Sequence, residues 1–220
     1  MSGKIHKYRG KEIEVTFDAK RCIHSAECIR GLPQVFDTSR APWITPNEAA
    51  ADQVAEIIMR CPTGALHYKR TTGEGAEPVP EANVVQVGTD GPLYVRGDIE
   101  ILDDAGNVVA TDFRMALCRC GVSENKPYCD NAHRKVGFKN DCLISDAPDG
   151  DSGEEVFTKK LRIQPSPDGP LLIEGKVTIT GSDGKHGVEV TNPAFCRCGH
   201  SGAKPYCDGS HNRVEFSDNP

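Results

Sequence analysis

The apolar positions of the chain change rhythm twice. Residues 12–17 alternate polar and apolar side chains (Glu12, Ile13, Glu14, Val15, Thr16, Phe17), the two-residue period of a half-buried strand. From residue 45 the period lengthens. Thr45-Pro46-Asn47-Glu48 has the form of a capping box with proline at the first helical position, and Ala50, Val54, Ile57, Ile58 and Cys61 follow at helical spacing. The predicted helix stops at Cys61, because Pro62 follows and Gly64 suits the exit. Beyond residue 82 strand-like sequence dominates, at 84–87 and 93–102 and again at 161–163 and 171–180, with an Asp-Gly-Pro turn inside each pair. The expected fold class is α+β. A small mixed domain over residues 1–70 and a mostly β domain over 83–220 are joined by a Gly-, Pro- and Glu-rich linker at 71–82.

The second domain is a repeat. Asp90-Gly91-Pro92-Leu93 recurs as Asp168-Gly169-Pro170-Leu171, and Cys118-Arg119-Cys120-Gly121 recurs as Cys196-Arg197-Cys198-Gly199, both at an offset of 78 (168 − 90 and 196 − 118). The same offset carries Lys126-Pro127-Tyr128-Cys129-Asp130 onto Lys204-Pro205-Tyr206-Cys207-Asp208, and His133 onto His211. Residues 84–138 and 161–216 are therefore two copies of one unit. Each copy runs from strands into a Gly-, Pro- and Cys-rich loop that leads to a short helix at most.

Composition narrows the chemistry. With 220 residues, a net charge of −6 and 37% hydrophobic residues, the chain is an acidic protein of one or two small domains, unsuited to phosphate neutralisation on a nucleic acid. Residues 1–17 lack the apolar core of a signal peptide, and no run approaches the length of a membrane span. The expectation is a cytoplasmic protein with no membrane partner. In a reducing compartment its ten cysteines point to metal binding rather than disulfides.

Each repeat carries Cys-x-Cys-x8-Cys-x3-His: Cys118, Cys120, Cys129 and His133, then Cys196, Cys198, Cys207 and His211. Four such ligands suit a [2Fe–2S] cluster, two for each iron, with imidazole replacing one thiolate. If the chain is helical after Asp130, Cys129 and His133 share a face and an iron, leaving Cys118 and Cys120 for the other. Gly121 and Gly199 would admit backbone close to sulfur, Pro127 and Pro205 stiffen the approach to the third cysteine, and Ser123 and Ser201 donate to the ligands. Asp130 and Asp208 would cap the helix starts. Structural zinc is the competing reading of a Cys3His set, but zinc modules favour C-x2-4-C pairs, which are absent here.

Written out as Cys196 to His211, the second site resembles the CDGSH signature of the NEET iron–sulfur proteins. Cys118 to His133 matches it with Asn131 and Ala132 in place of Gly and Ser, and asparagine tolerates the positive φ that glycine supplies. The resemblance implies a [2Fe–2S] cluster at each site, with Cys129 and His133, and Cys207 and His211, on the outer and more exposed iron. Members with one motif pair as homodimers, so two motifs imply a pseudo-dimer within one chain. The N-terminal Cys22-Ile23-His24-Ser25-Ala26-Glu27-Cys28, with Cys61-Pro62-Thr63-Gly64-Ala65-Leu66, resembles a divergent single-cluster bacterial ferredoxin domain in which Ser25 replaces the second cysteine. Cys22, Cys28 and Cys61 suit a [3Fe–4S] cluster, or a [4Fe–4S] cluster with a fourth ligand such as Ser25, His24, solvent or a partner. Three structural thiols with no cluster are the alternative.

Cys142 has no ligand counterpart in the second repeat and is expected to be an incidental thiol. His6, His186 and His200 are expected at the surface, and Gly73-Glu74-Gly75 is too short for a nucleotide loop. No nucleophile–base pair or substrate pocket is evident, so no catalytic residue is expected. The chain is expected to transfer electrons or clusters to a redox or cluster-acceptor partner rather than to be an enzyme. A zinc- or iron-stapled interaction module is the alternative.

Overall fold

The computed structural model describes residues 4–73, 75–140, 144, 159–184 and 187–218. Cys142, His186 and Glu74 lie outside the described residues. The chain divides into two compact units, Met1–Pro78 and Val79–Pro220.

The first unit is a three-stranded antiparallel sheet in the order β1-β2-β3, formed by β1 (Ile5–Arg9), β2 (Ile13–Asp18) and β3 (Leu66–Arg70). The alternation seen at 12–17 becomes the central strand, whose Ile13 and Val15 are buried. Between β2 and β3 come a short helix α1 (Glu27–Gly31) and the longer α2 (Ala51–Met59). Val54, Ile57 and Ile58 of α2 pack with Phe36, Ile44 and Leu66 in the core.

The helix begins later than its capping motif predicts. Thr45 makes no cap bond; its hydroxyl accepts from the Arg40 guanidinium, Pro46–Glu48 forms a separate 3-10 turn, and Ala49 is extended at φ −152°. The true start is Ala50, whose N–H is taken by the Gln53 side chain at 3.3 Å. Cys61 lies two residues past the helix, buried, with its N–H still bonded to Ile58 O at 2.9 Å. Nor is all of 71–82 an open linker. Glu77 is buried, its carboxylate accepting from Tyr68 N at 2.8 Å and contacting His67 Nδ1 at 3.1 Å, which ties this stretch to β3.

The second unit is mostly β. Its first repeat supplies β4 (Val84–Val87), β5 (Leu93–Leu102), β6 (Val108–Leu117) and the four-residue helix α3 (Ala132–Lys135). The second supplies β7 (Lys160–Pro165), β8 (Leu171–Glu174), β9 (Lys176–Thr180), β10 (Gly187–Thr191), β11 (Ala194–Phe195) and α4 (Ser210–Arg213). The predicted strand over 171–180 is split at Gly175, which takes φ 119°. The equivalent point of β5 is a register shift between Arg96 and Ile99.

All eight strands join one sheet, and the repeats share their first strands. β4 lies antiparallel to β5 of its own repeat and parallel to β9 of the other. β7 lies antiparallel to β8 and parallel to β5. The registers repeat at the offset of 78: Val84 faces Arg96 and Thr178, and Arg162 faces Glu174 and Glu100. A single apolar core takes Val85, Val95, Ile99 and Leu117 from one copy and Ile163, Ile173, Ile179 and Phe195 from the other. Neither repeat closes its sheet or its core alone, and the arrangement fits a pseudo-dimer within one chain.

Candidate metal centres

The two Cys-Arg-Cys-Gly segments follow directly on β6 and β11, and the third cysteine is tied to the same place by backbone bonds. Cys118 N donates to Pro127 O and Cys129 N to Ala116 O, both at 2.8 Å; Cys196 and Cys207 repeat this with Pro205 and Ala194 at 2.9 Å. The strand end thus holds three thiols in place, and a single helical turn brings the histidine. Asn131 and Gly209 sit at φ 71° and 81° ahead of α3 and α4, the positive φ anticipated for this position.

The donors gather two and two. Cys118 and Cys120 place their sulfurs 3.7 Å apart, Cys196 and Cys198 3.8 Å. Cys129 Sγ lies 3.4 Å from His133 Nδ1, and Cys207 Sγ 3.4 Å from His211 Nδ1. Two sulfurs bound at about 2.3 Å to one tetrahedral metal stand about 3.8 Å apart, and a sulfur and an imidazole nitrogen somewhat less. Each pair is therefore spaced to chelate one metal. Among the described residues no three such side chains gather closely enough to hold a single ion.

Charge at these sites is finely set. Cys118 is lowered by the hydrogen bond from the Cys120 thiol, with the Ser123, Gly121 and Cys120 N–H groups adding to it, and Cys120 is raised by the same bond. Burial pushes Cys129 and Cys198 up to about 11 and keeps His133 below the ordinary histidine value. Loading a metal therefore draws protons off buried thiols.

Two supporting roles differ from expectation. The Ser123 and Ser201 hydroxyls brace their own loops, each donating at 2.7 Å to Tyr128 O or Tyr206 O. Gly121 and Gly199, at φ 84° and 85°, make room for the other repeat. A Cβ on Gly121 would stand 2.7 Å from Cys198 O, and one on Gly199 2.9 Å from Cys120 O. The two ligand loops thus touch each other through their glycines. Asp130 and Asp208 accept from the N–H two residues on at 2.9 Å and also from Glu124 N and Gly202 N, closing each loop.

The two sites also differ in cover. Cys196 and Cys198 are buried while Cys207 and His211 are only half-buried, as the resemblance implies for the outer pair. At the first site the order reverses. Cys129 and His133 are 4% and 7% exposed, and Cys120 is the more open ligand.

The residue between the paired cysteines carries a function that spacing alone did not assign. Arg119 is wholly buried; its Nε donates to Gly91 O at 2.8 Å, its other nitrogens reach Gly88 O and Asn140 Oδ1 at 2.6 Å, and it lies over the Phe138 ring. Arg197 repeats this with Gly169 O, Ser166 O and the Phe216 ring, but its last partner is the Asp218 carboxylate at 2.6 Å. The repeated Cys-Arg-Cys-Gly and Asp-Gly-Pro-Leu segments are thereby clamped together. Their joint recurrence was the available signal.

In the first unit Cys22, Cys28 and Cys61 line one largely apolar cavity of about 380 Å³. His24 and Ser25 line it too, as do Trp43, Thr63 and Arg40. His24 and Ala26 adopt φ 56° and 65°, so the loop curls around the space. His24 Nδ1 is 4.0 Å from Cys22 Sγ, and Thr63 Oγ1 is 3.6 Å from Cys61 Sγ. Burial, then the charge of Cys61, raises Cys28 to about 11. The Arg40 Nε–H is buried without a hydrogen-bond acceptor. Three soft ligands around an apolar space with an unanswered donor fit an anionic iron–sulfur group. His6 and His200 are exposed.

A protein built this way, with paired Cys/His donors on two touching loops and a separate three-cysteine cavity, belongs to the iron–sulfur binding class. Residues 90–134 and 168–212 match the family described as iron-binding zinc finger CDGSH type, and residues 8–71 match the divergent 4Fe-4S mono-cluster family. The chain thus carries two CDGSH-type iron-binding domains in tandem and one divergent mono-cluster domain. Its first unit is similar to the Escherichia coli (strain K12) protein named "Uncharacterized protein YjdI", at 39% identity over 69 residues, 31% of this chain and 91% of that one. The protein of the same name in Escherichia coli O157:H7 matches equally. No solved structure matches significantly. Among the described residues no helix is long and apolar enough to cross a membrane.

Proposed function

We propose that the protein is a carrier of electrons or of clusters, with a [2Fe–2S] cluster at each CDGSH site and a [4Fe–4S] or [3Fe–4S] cluster in a ferredoxin-like first unit. The observation that carries this reading is the grouping of the donors two and two at about 3.4–3.8 Å, which suits two irons better than one zinc. Cys118 with Cys120 and Cys129 with His133 would hold the first cluster, Cys196 with Cys198 and Cys207 with His211 the second. Cys22, Cys28 and Cys61 would hold the third, with His24 or Ser25 within the same cavity as fourth ligand. Such clusters supply one-electron oxidation and reduction. The chain's part is to favour the Cys118 thiolate through the N–H groups around it, to hold Nδ1 of each histidine toward its cysteine, and to exclude water by burial. Transfer to a redox or acceptor partner, without catalysis of its own, is the role proposed for these clusters.

Anaerobic purification with iron, acid-labile sulfide and zinc counting, together with EPR, tests the reading. Four irons and four sulfides are expected from the tandem unit, with three or four further irons from the first. Zinc without sulfide would overturn the proposal in favour of a metal-stapled interaction module.

A further inference from the structure

We propose that the two CDGSH sites are unequal in exchange: the second surrenders its cluster to incoming thiols, and Tyr94 guards the first. This rests on the reading that both sites hold [2Fe–2S] clusters.

The difference begins with two of the positions at which the repeats diverge. Tyr94 of β5 corresponds to Leu172 of β8, and Gly88 to Ser166, at the offset of 78. Gly88 leaves space for the aromatic ring, since a Cβ there would stand 3.1 Å from a Tyr94 ring carbon. The ring therefore packs beside the turn that Arg119 clamps. Tyr94 lines one cavity with His133, Asn131 and Arg134, and Ser182 of the second repeat lines it too. Burial first, and then the charge of Cys129, raises the Tyr94 hydroxyl above its ordinary value. At the second site the glycine is a serine and the ring is replaced by a leucine that is 42% exposed. Cys207 and His211 are correspondingly half-buried, where Cys129 and His133 are covered.

Ligand exchange needs an incoming thiolate to reach iron as a protein ligand leaves. Cover over the Cys–His pair hinders approach to the iron that pair would hold at the first site and leaves it open at the second. The exchange transfers no electrons. Four acceptor thiols give up their protons, Cys196, Cys198 and Cys207 take up three, His211 leaves neutral, and one proton passes to solvent.

The test uses the full chain with iron and sulfide counted beforehand. Excess dithiothreitol with EDTA is added and cluster loss is followed by visible absorbance and EPR, with His133→Cys and His211→Cys variants assigning each phase. The [2Fe–2S] signal is expected to decay in two phases about tenfold apart, the faster one altered by His211→Cys. Tyr94→Leu should speed the slow phase several-fold and leave the fast one unchanged, while Tyr94→Phe, which keeps the ring, should behave as the parent. The double variant Ser166→Gly with Leu172→Tyr should slow the fast phase. Should Tyr94→Leu purify with two irons fewer, missing from the first site, that too would support the guard. One common rate, a fast phase belonging to the first site, or a slow phase indifferent to Tyr94→Leu would overturn the proposal. A starting protein with fewer than four irons and four sulfides would instead overturn the underlying assignment of clusters, whatever the rates.

Discussion

The two repeats of the second unit share backbone pairing almost residue for residue, yet their surroundings have diverged. One seam between them, where β7 runs along β5, is charged: Glu100 is buried and meets Lys160 and, at 3.2 Å, Arg162. The matching seam, where β4 runs along β9, places Val84 against Thr178. One buried arginine ends on an amide, Asn140, and its counterpart on a carboxylate, Asp218. Main-chain register therefore fixes where the ligands stand, while the side chains at matched positions are free to give each site its own cover and charge.

Removing the buried arginines should break this comparison most severely. Arg197→Met leaves the Asp218 carboxylate without its cation and is expected to cost about 3–5 kcal/mol. Arg119→Met strands the Gly88 and Gly91 carbonyls and the Asn140 amide oxygen rather than a directly paired carboxylate, and is expected to cost about 2–3 kcal/mol. Chemical denaturation of both variants gives the order; an Arg119 variant as damaged as the Arg197 one would show that the carboxylate adds nothing.

Next in size come the glycines where the ligand loops touch. Gly121→Ala and Gly199→Ala each force a Cβ into a positive-φ residue against the opposing loop, at about 2–3 kcal/mol. Because each glycine abuts the other repeat, either variant should lower the metal content of both sites. Iron loss confined to the mutated repeat would mean that the loops act independently.

The charged seam should show the smallest effect, and only within a defined pH range. Glu100 is held below its ordinary value of 4.5, first by the hydrogen bond from Lys160 and then by Arg162. A depressed carboxylate contributes stability that is complete above its ordinary value and lost as pH falls through the folded one. Both cations are about half exposed, so Glu100→Gln should cost only about 1–2 kcal/mol at neutral pH. Thermal melts of parent and variant should converge as pH drops below 4.5. A constant gap down to pH 3 would show that the ion pair carries no weight.

Covalent spacing made the ligands legible, because Cys-x-Cys and Cys-x3-His bring donors together within one turn whatever the rest of the fold does. The repeat and its offset were equally plain. Strand sharing was not, since β4 finds β9 over ninety residues away in the chain and each strand also reads as an ordinary hairpin member. The role of Arg119 was hidden for the same reason: its carbonyl partners lie 28 and 31 residues upstream. In the first unit the capping motif at 45–48 misled because a guanidinium five residues upstream, Arg40, claimed the threonine hydroxyl. The reversal of exposure at the first site depended on Gly88 and Tyr94 jointly, neither of which is unusual in a strand or turn by itself.

The single tryptophan of the chain, Trp43, lines the three-cysteine cavity and packs edge-on against Phe17 at 4.9 Å. An indole at that wall is a built-in lamp. Iron–sulfide charge-transfer absorption overlaps indole emission, and excitation energy passes to such an acceptor with a steep dependence on distance. Filling the cavity should therefore darken Trp43 fluorescence, and stripping it should restore the emission, giving an optical record of the first unit that needs no label and no added chromophore.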